Sequence, residues 1–160
     1  MRYRPFGASG KAVSAISLLL REAPNMTTPH AWRTLVFGAM ESGVNCFEIT
    51  AGSEIMALGF GEALRAVERR LIAIGWRIHG DPRKMLTAEA ISNSVRGGLA
   101  RTGAGYFDVL MLDEAAFETL APDAQGYLAD LRAAGLILQM GVVGDGDSIE
   151  ACLESGIFDV

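Results

Sequence analysis

An α/β protein built on a parallel sheet is the fold class this sequence predicts, on three observations. Short apolar runs of strand length recur along the 160 residues. Amphipathic stretches of helix length fall between them. The helical stretches open on capping residues and close on glycine. Near-continuous apolar strands that alternate with helices imply parallel strands buried on both faces. Caps, stops and periodicity are separate signals, and here they agree.

The first strand is expected at Ala15 to Leu20, followed by a loop carrying Pro24 and Pro29. A helix runs from about His30 to Ser42 and stops at Gly43, and His30 reads as a structural residue at its start. Asn45 to Thr50 is the next strand and Glu54 to Val67 the next helix. Arg70 to Trp76 is the third strand, bounded by a Gly80-Asp81-Pro82 turn. Thr87 caps a long helix to about Arg101, ended by Gly103 and Gly105. Phe107 to Leu112 is the fourth strand, Asp123 to Ala134 a helix stopped by Gly135, and Leu138 to Val143 the fifth strand. Ser148 to Glu154 is a short helix before Gly156, and Ile157 to Val160 begins a sixth strand.

Half of the residues are apolar, enough for a sizeable core. Fourteen basic residues against 19 acidic ones give a net charge of −5. That mild acidity, with no basic stripe, argues against a nucleic-acid partner. Cys46 and Cys152 lie far apart and read as buried, reduced thiols of a cytoplasmic protein. A nucleophilic Cys46 is disfavoured, because no histidine is near it in sequence. The N-terminus has no apolar signal core, and no apolar run approaches the ~18 residues that span a bilayer. No linker or low-complexity segment divides the chain, so residues 1–160 read as one domain, cytoplasmic and without a membrane partner.

Two architectures fit the alternation: an open doubly wound sheet, or part of a (β/α)8 barrel. The first predicts a glycine-rich turn after the first strand to cradle a dinucleotide. That position reads Leu20-Arg21-Glu22-Ala23-Pro24, without glycine. Gly59-Phe60-Gly61 lies inside a helical pattern, and neither it nor Gly141-Val142-Val143-Gly144 has the three-glycine spacing. The barrel reading gains.

Residues 2–10 followed by Val13-Ser14-Ala15 resemble the N-terminal hairpin and first strand of the aldo/keto reductases. Residues 39–48 resemble that family's first helix and second strand, and Leu58-Gly59 with Glu62-Ala63-Leu64 its second helix. Residues 99–112 resemble its next helix and fourth strand, residues 131–142 its fifth unit, and residues 156–160 the start of its sixth strand. The matches stand in order along essentially the whole chain. The resemblance implies a TIM-barrel type fold, incomplete at about five to six βα units, with an N-terminal β-hairpin plugging the bottom. It also implies an NADP(H)-dependent oxidoreductase ancestry, with the site at the C-terminal ends of the strands.

The same resemblance implies a chemistry. A tyrosine protonates the developing alkoxide, a lysine paired with an aspartate lowers that tyrosine's pKa, and a histidine orients the carbonyl. The aspartate position falls on Glu48. Residues 49–53 contain no tyrosine. The lysine position falls on Trp76 or Arg77, the histidine position on Asp113, and the Ser-Asn pair for the nicotinamide amide on Val143-Gly144. Glu48, Arg77 and Asp113 thus stand, substituted, at the catalytic positions. Arginine holds its charge but has no tyrosine to act on, and a missing general acid costs roughly 10² to 10⁴ in rate. The expectation is a pseudoenzyme with respect to reduction, holding NADP(H) weakly or not at all.

Glu48 and Arg77 are expected to keep a structural ion pair, with Asp113, Glu114 and His79 solvated and Trp76 filling the barrel mouth. A divalent metal held by Glu48, Asp113 and His79 is the competing arrangement, as is a lyase or hydrolase using Glu48 and Asp113. A closed barrel needs eight units and about 250 residues. An open sheet of fewer strands leaves apolar edges that invite pairing. A homo-oligomer or a partner chain closing the sheet is therefore expected. Alternative readings are an active carbonyl oxidoreductase completed by missing segments or a partner, and a scaffold or interaction module.

Overall fold

The computed structural model describes residues 1–7, 9–144 and 148–160. Ala8, inside the segment read as a hairpin, lies outside the described residues. Tyr3–Pro5 (β1) and Ala12–Ser14 (β2) pair antiparallel as that hairpin. A second sheet holds Leu18–Leu20 (β3), Cys46–Thr50 (β4), Ala73–Ile78 (β5), Phe107–Asp113 (β6) and Ile137–Val143 (β7). Its strands are all parallel and run in the order β3-β4-β5-β6-β7. The helices are Pro29–Glu41 (α1), Glu54–Leu64 (α2), Ala88–Thr102 (α3), Glu114–Glu118 (α4), Pro122–Ala133 (α5) and Ser148–Glu154 (α6).

Strand order decides between the two architectures. A doubly wound sheet reverses its order at a switch point and divides its helices between two faces. Here the strands follow the sequence, and α1 packs on α2, α2 on α3 and α3 on α5. That is the wall of a (β/α) barrel, partial and open.

Local chemistry sets the helix ends. Thr28 accepts a hydrogen bond from the Ala31 N–H ahead of Pro29, and Thr87 accepts one from Ala90, each at 3.2 Å. The α3 helix stops on Gly103 at φ +64°, a left-handed cap that favours glycine.

The register sorts the side chains onto two faces. Phe47, Ile49, Trp76, Leu110 and Met140 share the face covered by helices, where all are buried. Phe47 meets Phe60 of α2 edge-on at 5.5 Å, and Trp76 stacks on Phe107 at 4.8 Å. The Trp76 indole N–H donates to Ser94 Oγ at 3.0 Å. Trp76 therefore does not fill the barrel mouth as the sequence led us to expect. Gly98 of α3 lies over its ring, where a Cβ would come within 2.6 Å. Gly61 allows a comparable approach, since a Cβ there would stand 2.6 Å from the Thr102 carbonyl of α3. The Gly59-Phe60-Gly61 stretch is a helix contact. The opposite, inner face carries Glu48, Gly75, Arg77, Val109, Met111 and Gly141.

Several expected boundaries move, each for a visible reason. The first strand begins at Leu18, because Ser14 Oγ turns the chain by donating to the Ile16 carbonyl at 2.7 Å. The α2 helix ends at Leu64, and residues 65–67 unwind through tighter bonds from Ala66 to Ala63 and Val67 to Leu64. The third strand begins at Ala73, because Arg69–Leu71 is a 3₁₀ turn. The short α4, absent from the sequence reading, is capped by Asp113. Residues 157–160 form no regular strand, but Val160 donates to the Met140 carbonyl and accepts from Val142 N–H, at 3.2 and 3.0 Å. Those two bonds are the pattern of a parallel ladder on β7. Among the described residues no helix is long and apolar enough to cross a membrane.

Candidate functional site

Glu48 in β4 and Arg77 in β5 face each other across the inner wall, Arg77 Nε standing 2.5 Å from Glu48 Oε1. The expected ion pair is present, and the choice between Trp76 and Arg77 resolves to Arg77 on the inner side. Neither atom makes an aligned hydrogen bond, so charge rather than direction holds the contact. Glu48 also lines an inner cavity of about 160 Å³ with Cys46, Gly75, Val109 and Met111. Burial, then the nearby Asp108 and Glu48 carboxylates, push the Cys46 thiol above its ordinary value. A thiol held protonated is a poor nucleophile, although Cys46 is only partly buried, where the sequence reading had it in the core.

Asp113 ends β6 and is not a solvated carboxylate, as the sequence reading had it. Its Oδ1 accepts from Gly80 N–H at 2.9 Å and Ala116 N–H at 2.8 Å, and its Oδ2 lies 2.7 Å from His79 Nδ1. It therefore caps α4, ties down the loop after β5 and orients an imidazole. Among the described residues no three His, Cys, Asp or Glu side chains converge as metal ligands. Glu48 is engaged with Arg77, and Asp113 with His79 and two backbone amides.

The chain has three tyrosines, and none of their phenols stands at the C-terminal ends of the strands. Tyr3 donates to the Gly43 carbonyl at 2.9 Å, joining the hairpin to the end of α1. Tyr106 precedes β6 at the opposite end of the sheet, with the Arg69 guanidinium over its ring at 3.9 Å. Tyr127 donates to Ser92 Oγ at 2.8 Å between α5 and α3. The Ser92 hydroxyl, and then the Arg96 guanidinium, can each donate to the phenolate and so lower the pKa of Tyr127.

Val143 and Gly144 offer no side-chain donor. The Glu114 side chain lies where a Gly144 Cβ would stand, so an anionic group covers the position. A carboxamide needs both a donor and an acceptor there. These residues do not fit the nicotinamide contact that the resemblance implied.

Sequence reasoning missed a charged cluster at the N-terminal ends of the strands. Asp108 is 2% exposed. Its carboxylate meets Lys11 Nζ of the hairpin side at 2.6 Å and Arg69 Nη2 at 2.8 Å, and accepts from Ile74 N–H at 2.9 Å. Arg69 further donates to the carbonyls of Ala104, Ile72 and Tyr106 at 3.0, 2.5 and 2.7 Å. The N-terminal end of a barrel sheet serves stability rather than chemistry, and this cluster ties that end together. The available signal was a carboxylate, Asp108, one residue into a strand that is apolar from there to Leu112.

No protein-family model matches the chain, and neither does any curated protein sequence. Solved structures do. A thermostable aldo-keto reductase in complex with the inhibitor epalrestat superposes with a TM-score of 0.76 at 19% identity, covering 96% of this chain and 58% of that one. An aldo-keto reductase from Bacillus halodurans matches in its holo form with a TM-score of 0.76 at 18% identity, covering 100% of this chain and 55% of that one. Its apo form gives 0.70 and 17%, covering 97% and 52%. The fold is that of an aldo-keto reductase, as a partial barrel. The chain spans little more than half the length of these structures.

Proposed function

We propose that this chain is an NADP-dependent oxidoreductase relative that neither grips the nicotinamide nor reduces carbonyls. In this reading residues 1–160 form one reductase-like domain serving as a scaffold or interaction module. One observation carries it. All three phenols make structural hydrogen bonds away from the C-terminal strand ends, so an alkoxide formed there would meet no phenol to protonate it. Glu48 and Arg77 keep the carboxylate–cation pairing of the family's aspartate and lysine, but the pair has no hydroxyl to polarise. Asp113 acts as a helix cap and imidazole holder.

The ladder bonds of Val160 on β7 favour a second reading. The wall continues past β7, and further segments or a partner chain close the barrel and complete an active oxidoreductase. The two readings part on cofactor affinity. Titrating NADPH into the protein, with the cofactor's own fluorescence as readout, is expected to show no saturation up to millimolar concentration. Saturable binding at micromolar concentration would favour the second reading and sink the first.

A further inference from the structure

We propose that His79 and Asp113 form a proton-transfer dyad, whose imidazole serves as general base for hydrolysis of a small carboxylic ester bound between α2 and α3. The inference does not rest on the absence of reductase chemistry, and its readout is a different one.

The dyad is preorganised. Two backbone amides, from Gly80 and Ala116, fix Asp113 Oδ1, and Oδ2 is left to take the Nδ1–H of His79 at 2.7 Å. A carboxylate can only accept, so the neutral imidazole carries its proton on Nδ1 and keeps a lone pair on Nε2. A carboxylate-held imidazole is the arrangement by which nucleophiles are deprotonated and the resulting imidazolium is stabilised. Placement supports the role. His79 follows β5 directly and Asp113 ends β6, at the end of the sheet where barrel enzymes carry their chemistry.

A receptacle lies beside it. His79 lines a cavity of about 360 Å³ together with Ser53, Trp76, Asn93, Ser94 and Arg101. That is a fitting size for a small ligand. Ser53 Oγ accepts from Met56 N–H and Ser94 Oγ from the Trp76 indole, so each hydroxyl keeps its own proton to donate. The Asn93 amide adds donors. Hydroxyl and amide donors lining one cavity with an imidazole base are the parts an acyl-transfer site requires.

The step balances without a cofactor. A water gives its proton to His79 Nε2 while its oxygen bonds to the ester carbonyl carbon. The tetrahedral oxyanion is met by the hydroxyl and amide donors. Its collapse breaks the carbon–alkoxy bond, and the imidazolium returns the proton to the departing alkoxide. The products are one acid and one alcohol.

The test uses the whole chain, with p-nitrophenyl acetate and butyrate as probes. Wild-type protein is expected to hydrolyse them faster than an equal concentration of free imidazole. His79→Gln leaves both backbone bonds of Asp113 in place and is expected to lose about 10²-fold or more in rate. His30→Gln, at the only other histidine, is expected to keep the wild-type rate. Imidazole ¹⁵N spectra are expected to show His79 protonated at Nδ1, and mixed tautomers in Asp113→Asn. If Asp113→Asn does not fold, His79→Gln decides alone. A wild-type rate no better than imidazole, equal rates for His79→Gln and wild type, or a His79 protonated at Nε2 would each overturn the proposal.

Discussion

Replacing Asp108 by alanine is expected to lower stability by about 3–5 kcal/mol, because it leaves two cations facing each other in a largely dry pocket. Asp108 is the group on which Lys11, Arg69 and the Ile74 amide converge. Lys11 also donates to the Ile72 carbonyl and lies near the Tyr106 ring, so its displacement loosens the hairpin. Arg69 joins three carbonyls at the strand starts, and its orientation depends on the same carboxylate. A loss of this size corresponds to a fall of roughly 6–20 °C in Tm for a chain of this length. Urea unfolding of Asp108→Ala beside Glu68→Ala measures it. Glu68 pairs with Arg70 on the open surface, and such exposed pairs contribute about 0–1 kcal/mol. Equal midpoints for the two variants would show that the bottom cluster is not what closes the wall.

The second large effect is expected at Trp76. Changing it to alanine removes the stack on Phe107, the bond to Ser94 and the surface on which Gly98 of α3 rests. Truncation of a buried aromatic costs about 3–5 kcal/mol, through lost burial and the cavity left behind. A tryptophan at a barrel mouth would cost far less. The denaturation midpoint and the near-ultraviolet circular dichroism of Trp76→Ala check this, and a variant unfolding at the wild-type denaturant concentration would refute the placement.

These two residues also show what the sequence conveyed and what it withheld. The parallel α/β class and the order of elements were readable from apolar runs, caps and glycine stops, because those are local signals; the partial barrel was implied by the family resemblance. The facing of β5 was not. Its apolar run begins at Leu71, but the Arg69 bonds hold Arg69–Leu71 as a turn. The strand therefore lies further along, Trp76 faces the helices, and Arg77 lies within the strand, opposite Thr50, with its side chain paired to Glu48. The α4 helix has five residues, too few to display a helical period. Pairing of His79 with Asp113, and of Lys11 and Arg69 with Asp108, joins residues far apart in sequence. Only the assembled sheet brings them together. The Glu48–Arg77 pair could be anticipated because the resemblance placed both residues at strand ends. What stands around them could not.

The thiols behave as their burial implies. Desolvation first, then nearby carboxylates, raise both Cys46 and Cys152. A group whose folded pKa lies above its unfolded value adds stability that is fully present below the unfolded pKa. For these cysteines that contribution fades as pH rises from the ordinary thiol value toward the raised one. The inner cavity accordingly stays uncharged at Cys46 near neutral pH, and Glu48 and Asp108 are the charged residues of its wall.

The central claim is that this fold has no phenol to protonate an alkoxide at the end of the sheet where a carbonyl would be reduced. It is tested most directly by following NADPH absorbance at 340 nm with the purified chain and a panel of simple aldehydes and ketones. The account predicts a rate indistinguishable from that without protein. Enzymes of ordinary efficiency turn over at roughly 1–10³ per second. A saturable oxidation that co-purifies with the chain, at even about one-hundredth of the lower figure, would contradict it.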